Sequence, residues 1–223
     1  MTSQGDRLIQ VELHAHTRFS KDSLVRIPRL LEHCAKIGMD RIAITDHNKI
    51  DGALEAKKLA PDRVIVGEEI ATTQGELLGY FMTEWVPPGL EPLDAIERLK
   101  AQGAVISVAH PFDTTRGRHW SEEELIAITP HIDAIEIFNA RCMNNSPNIR
   151  AAAFAQKNGL LMTSGSDAHS LWEVGQALMK MPDFSDAEGF RQALVTAHHN
   201  SRLSSPWVHL LSRFAVFYKN MIH

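Results

Sequence analysis

Cysteine is scarce. The 223 residues hold two, Cys34 and Cys142, and neither sits in a CxxC. A disulfide framework and a thiolate zinc cage are thereby excluded, and a reducing cytoplasm is the expected location. No apolar run reaches spanning length and no apolar signal region opens the chain, so neither export nor a transmembrane helix is expected. Basic charge is not in excess: the formal net charge is −4, which argues against a broad electrostatic surface for nucleic acid. Aromatics make up only 7% of the chain. What is plentiful is histidine, twelve in all, and the placement of these residues matters more than their number. The length suits one domain with a real hydrophobic core.

Short apolar runs alternate with segments of period 3.6. The strand candidates are residues 8–13, 41–44, 64–66, 77–81, 104–108, 134–138 and 160–163. Between them Ile27, Leu30, Leu31 and Cys34 form a helix stripe that stops near Gly38, and Pro92 opens another with Leu93, Ile96 and Leu99. Ser121 with Glu124, and Ser185 with Glu188, read as capping boxes. Ser146-Pro147 reads as an N-cap and first turn, with Gly159 as the stop. Strand–helix alternation predicts an α/β fold on a mainly parallel sheet. After Ser204-Ser205-Pro206, residues Trp207, Leu210, Leu211, Phe214 and Phe217 share one helical face. They predict a terminal amphipathic helix packed on the barrel or on a subunit partner, giving a division into residues 1–200 and a helical extension, 201–223. A membrane-surface helix is the lesser reading.

Five of the seven strand candidates end in imidazoles or carboxylates that bind cations, and the sixth ends in Asn139. His14 and His16 follow the first; residues two apart share a strand face, so both imidazoles can reach one ion. Asp22 stands in the loop beyond. Asp46 and His47 follow the second strand, Glu68 and Glu69 the third, His110 the fifth, and Asp167 and His169 the last. In a parallel α/β barrel all these ends face one mouth. Crowded imidazoles and carboxylates are unfavourable alone and favourable around divalent ions. Five histidines with three or more carboxylates exceed one tetrahedral site and point to two or three ions sharing a bridging carboxylate. His33, His119, His131, His198, His199, His209 and His223 fall outside the pattern and read as surface or packing residues. Cys34 reads as core, and Cys142 as a structural thiol rather than a nucleophile.

The segments "LHAHTRFSKDS", "AITDHN", "VGEEI", "AHPFD", "IEIFNAR" and "GSDAHS", in this order over roughly residues 9–175, resemble the PHP (polymerase and histidinol phosphatase) family of metal-dependent phosphoesterases. The resemblance implies a distorted (β/α)7 barrel with a trinuclear metal centre on its C-terminal face. It implies that His14, His16, Glu69 and Asp167 hold a first ion, and that Glu69 bridges to a second held by His110. Asp22, His47 and His169 would hold a third. Glu69 is preferred to Glu68 because the family ligand stands two residues after the glycine. Several family members carry a histidine or cysteine at the end of the strand here read as residues 134–138. In this chain Glu136 and Asn139 stand there, and Glu76 or water would complete the second site.

The function expected is hydrolysis of phosphate esters, most simply small phosphomonoesters such as nucleotide or sugar phosphates, by metal-activated hydroxide attack on phosphorus. Mixed nitrogen and oxygen ligands suit Mn, Fe or Zn. Arg116 and Arg141 are placed by sequence to meet phosphoryl oxygens, and Asp167 or His169 to move a proton. A 5′–3′ exonuclease acting on short oligonucleotides with the same ions is the alternative within the family. A non-catalytic, metal-stabilised module that serves a partner, or a second copy of the chain, through the terminal helix is the alternative outside it.

Overall fold

The computed structural model describes residues 7–222; His223 lies outside them. Among the described residues nine strands form one sheet. In chain order the elements are β1 (Leu8–Glu12), α1 (Ile27–Lys36), β2 (Arg41–Ile44), α2 (Asp51–Leu59), β3 (Val64–Ala71), β4 (Glu76–Tyr80), α3 (Pro92–Ala101) and β5 (Val105–Val108). There follow α4 (Glu122–Ile128), β6 (Ala134–Asn139), α5 (Ser146–Asn158), β7 (Leu161–Gly165), β8 (Ala177–Pro182), α6 (Ala187–Val195), β9 (His198–Ser201) and α7 (Val208–Ile222).

The sheet order is β7-β6-β5-β4-β3-β2-β1-β8-β9. It curls until the chain just past β7 meets the chain just past β1. His16 N donates to Ala168 O at 2.8 Å and Ala168 N to His14 O at 3.2 Å, which nearly closes a barrel. The sheet is more mixed than expected: four strand pairs are parallel and four antiparallel. The cause lies in the connections. β3 and β4 are joined by a tight turn, in which Thr72 Oγ1 donates to Gly75 O at 2.6 Å, and a hairpin is necessarily antiparallel. The strands β8 and β9 escape a search for apolar runs. β8 buries only alternate residues, Ala177, Met179 and Met181, and β9 is largely exposed.

Strand alternation sorts the core into two layers. Ala43, Ile65, Leu78, Tyr80 and Val105 pack with Met179, Met181 and Phe190 of α6, which fills the barrel interior from one end. The alternate residues Ile42, Ile44, Val64, Ile106 and Ile135 face α1–α5. The Ser121–Glu124 capping box is present, and Gly159 ends α5 in the left-handed conformation that its missing Cβ permits. Two helix starts differ by one residue from expectation. Asn145 precedes α5 as its N-cap, and Asp186 rather than Ser185 caps α6, accepting from Gly189 N at 2.8 Å.

The terminal helix α7 turns its stripe the other way. Trp207 (74% exposed), Phe214, Phe217 and Met221 face out, while Val208, Ser212 and Ala215 are buried on the barrel. No helix among the described residues is long and apolar enough to cross a membrane.

Candidate metal centre

The eight side chains singled out as ligands converge at one end of the barrel. His14 Nε2 and His16 Nε2 lie 3.3 and 3.4 Å from the two oxygens of Glu69. The same nitrogens lie 3.8 and 3.2 Å from Asp167 Oδ1. His110 Nε2 is 2.9 Å from Glu69 Oε1, and Glu76 Oε2 is 3.6 Å from His110 Nε2. On the other flank Asp22 Oδ2 stands 3.2 Å from His169 Nε2 and 3.4 Å from His47 Nε2, and His47 Nδ1 is 2.8 Å from Glu69 Oε2. Glu69 is thus central to both flanks. Its neighbour Glu68 points the opposite way, accepting from Val86 N at 3.1 Å, as alternation along a strand requires.

The donor set fits divalent cations. His14 Nε2, His16 Nε2, His169 Nε2, Glu69 Oε2, Asp167 Oδ1 and Asp22 Oδ1 are buried and make no hydrogen bond, although several lie close to one another. Buried polar atoms are normally paired; here several unpaired ones lie side by side. Four groups of three ligand atoms lie close enough to share an ion: His16/His47/His169, His14/His16/Glu69, His14/His110/Asp167 and His47/Glu69/Glu76.

The electrostatics agree. Burial alone would lower His14, but Glu69, Glu136 and Asp167 hold it well above the usual imidazole value. Burial, with His169 and His47 alongside, pushes His16 well below it. Burial would raise Glu69, yet His14 and His47 hold it well below the usual carboxylate range. Neighbouring imidazoles are thus pulled in opposite directions. Neutral imidazoles on a cation remove that conflict.

A second layer, mostly unread in sequence, aims these ligands. Glu136 Oε1 lies 2.9 Å from His14 Nδ1, and its other oxygen accepts from His110 N and from Asn139 Nδ2. Glu136 and Asn139 therefore hold candidate ligands in place. His16 Nδ1 is 3.0 Å from Ser20 Oγ, which donates to Asp46 Oδ1 at 2.7 Å. Buried Glu12 ties the chain past β7 to β1: it accepts from Ser166 N at 2.8 Å and Gly175 N at 3.1 Å, and burial pushes its carboxyl up to about 7. His110 and Asp167 sit at positive φ, 25° and 51°, a costly conformation that the surrounding contacts must impose.

The two arginines differ in placement. Arg116 donates to Asp167 Oδ2 at 2.6 Å and to Asp113 Oδ2 at 3.1 Å, and lines the open cavity. Arg141 is 5% exposed. Its Nη1 lies 2.6 Å from His169 Nδ1, its Nε 3.2 Å from Glu173, and its Nη2 donates to Ser212 Oγ. It lies behind His169, away from the mouth. Above the cluster a cavity of about 1500 Å³ is lined by Arg18, Lys21, Lys49, Arg116, Arg118 and Lys219, with Phe19 and Trp85.

A barrel whose mouth gathers five imidazoles and a buried glutamate–aspartate pair defines a class of protein built to hold metal ions at strand ends. This chain belongs to the PHP family: the PHP domain profile matches residues 12–140, and the PHP-associated profile matches residues 145–197. An uncharacterised protein of Methanocaldococcus jannaschii is 38% identical over 180 residues, which cover 79% of this chain and 72% of that one. Two of the solved structures that share the fold are the following. One is a two-domain protein from Bacteroides vulgatus containing a predicted PHP-like metal-dependent phosphoesterase (TM-score 0.70, 19% identity, 90% of this chain and 66% of that one). The other is PsfC from Pseudomonas syringae (TM-score 0.66, 17% identity, 97% of this chain and all of that one).

Proposed function

We propose that the protein hydrolyses phosphate esters with divalent ions held by His14, His16, Asp22, His47, Glu69, His110, Asp167 and His169, its simplest substrates being small phosphomonoesters. The observation that carries this reading is the convergence of buried, unbonded ligand atoms beneath an open cavity rich in cations. Ions bound there would supply Lewis acidity and an activated water for attack on phosphorus. The chain's own groups do the rest. Glu69 joins the two flanks, and Glu136 and Ser20 fix the imidazoles of His14 and His16. Burial would raise Asp167, but Arg116 and His14 keep it well below the usual carboxylate range. It serves as a ligand in its ionised form. Arg116, fixed by Asp113, presents its guanidinium at the cavity floor, where a planar fork suits phosphoryl oxygens. Arg141 acts through His169.

A second reading, the end of a short oligonucleotide, is favoured by the lining of the cavity. Six cations exceed the needs of one phosphate, and Trp85, 52% exposed, could stack a base.

The test is phosphate release from a monoester panel and from a short 5′-phosphorylated oligomer, after reconstitution with Mn, Fe or Zn, with and without chelator. The reading requires chelator-sensitive turnover that is lost in His14→Ala and Asp167→Ala. Full metal content and full turnover in both variants would overturn it.

A further inference from the structure

We propose that α7 belongs to the site, with Lys219 and Ser212 as positioning residues that fix its Asp22–His169 flank. The proposal rests on the metal reading above. None of the proposed ligands comes from α7, yet the helix is tied to that flank at two points. Lys219 Nζ donates to Arg18 O at 2.7 Å and to Ser20 O at 2.6 Å, two carbonyls of the turn that delivers Asp22. Two turns earlier on the helix, Ser212 Oγ accepts from Arg141 Nη2 at 2.8 Å, and the other arm of Arg141 lies against His169 Nδ1. One tether thus ends on the loop after β1, and the other reaches the loop after β7 through Arg141, which stands in the loop after β6; Asp22 and His169, carried by the first and last of these loops, have their ligand atoms 3.2 Å apart.

The way α7 is seated supports this role over simple capping. A helix held by hydrophobic burial would turn its large apolar side chains inward. Here Phe214 (57% exposed) and Phe217 (61% exposed) face outward, and the seat is made by Val208, Ser212, Ala215 and Lys219. This stripe at i, i+4, i+7 and i+11 offers little apolar area but brings two polar groups to defined acceptors and donors. Lys219 also lines the cavity, and an ammonium has three protons, of which two are spent on the carbonyls.

The experiment uses the full chain carrying Lys219→Met with Ser212→Ala, compared with Lys219→Arg and with Asp22→Asn. Bound ions are counted by elemental analysis after Mn²⁺ or Zn²⁺ reconstitution, affinities are read by calorimetric titration, and the melting temperature of the metal-free protein is recorded alongside. The double variant is expected to lose the same ion as Asp22→Asn, or to bind it roughly 10–100-fold more weakly, as changes behind metal ligands typically do. The remaining ions should stay tight, and Lys219→Arg, which keeps a cation at that place, should retain the ion that the double variant loses. Unchanged stoichiometry and affinity in the double variant, even with a lower melting temperature, would reduce α7 to a structural cap. A wild-type protein that takes up no divalent ion would overturn the metal reading itself, and this proposal with it.

Discussion

The two flanks of the cluster are built differently. On one, Glu69 comes from β3 itself, and His14, His110 and Asp167 stand two residues beyond β1, β5 and β7 respectively. All four are buried, and Glu136 of β6 and Asn139 support them. On the other, Asp22 and His47 come from loops, their side chains remain 19% and 17% exposed, and the supports are Ser20, Asp46 and α7. Strands hold a side chain within narrower limits than loops do. The first flank is therefore expected to be the more rigid part of the site and the second, whose Asp22 and His47 line the cavity, the more adjustable.

The largest effect should come from the residue common to both. Glu69 lies within 3.4 Å of His14, His16, His110 and His47. Glu69→Gln is expected to release ions from both flanks and to cut turnover by more than the roughly 100-fold that changes behind ligands cost. Asp22→Asn should affect one ion only. Ion counts that fall equally in the two variants would erase the distinction between flanks.

Next in size is a change with no ligand in it. A Cβ on Gly165 would lie 2.2 Å from His14 Cβ and 2.8 Å from Glu136 Oε1. Neither neighbour is the far end of a free chain, since His14 and Glu136 hold each other. Gly165→Ala should displace His14 and lower metal affinity on the strand flank by roughly 10–100-fold, with the ion held by Asp22, His47 and His169 less affected. Titration with Mn²⁺ checks this; retention of both affinities would mean that β7 can shift away without cost.

Much of the strand flank was legible in sequence because a strand has a simple period. HxH past an apolar run puts two imidazoles on one side, and Glu69 could be told from Glu68 by the family spacing. The loop flank was less legible: His47 and His169 stand just past strand ends, but Asp22 lies six residues from His16 with no regular element between. What stayed hidden were contacts that period cannot encode. Glu136 meets His14 across 122 residues, and a glutamate inside an apolar strand gives no sign of its partner. The reach of Arg141 toward Ser212 depends on where α7 settles. The outward stripe of α7 reversed the expected packing face, because apolar periodicity marks a helix but not which side it buries.

The second layer offers a finer version of the same contrast. Glu136→Gln keeps the shape but weakens the acceptor facing His14 Nδ1 and His110 N. Ser20→Ala removes the link from His16 to Asp46. If strand support matters more than loop support, Glu136→Gln should cost roughly 10-fold or more in metal affinity, and Ser20→Ala less. The reverse order, read in one titration series, would locate the rigid part of the site on the loops.

The smallest effects should lie at the rim, where the cavity is lined by Lys21 and Lys49, both exposed. A solvated ammonium contributes about 0–1 kcal/mol to a pair with an anion, and salt screens it. Lys21→Ala and Lys49→Ala should therefore raise KM for a phosphate ester by a few-fold at most, leave kcat unchanged, and lose even that difference at high ionic strength. Arg116 is different, for it is held between Asp113 and Asp167 on the floor. Arg116→Met should lower kcat as well as raise KM, and added salt should erase less of the effect, because a guanidinium only 20% exposed and held by two carboxylates is screened much less than a solvated ammonium. Equal salt sensitivity for Arg116 and the two lysines would place Arg116 at the rim with them and remove it from the reacting centre.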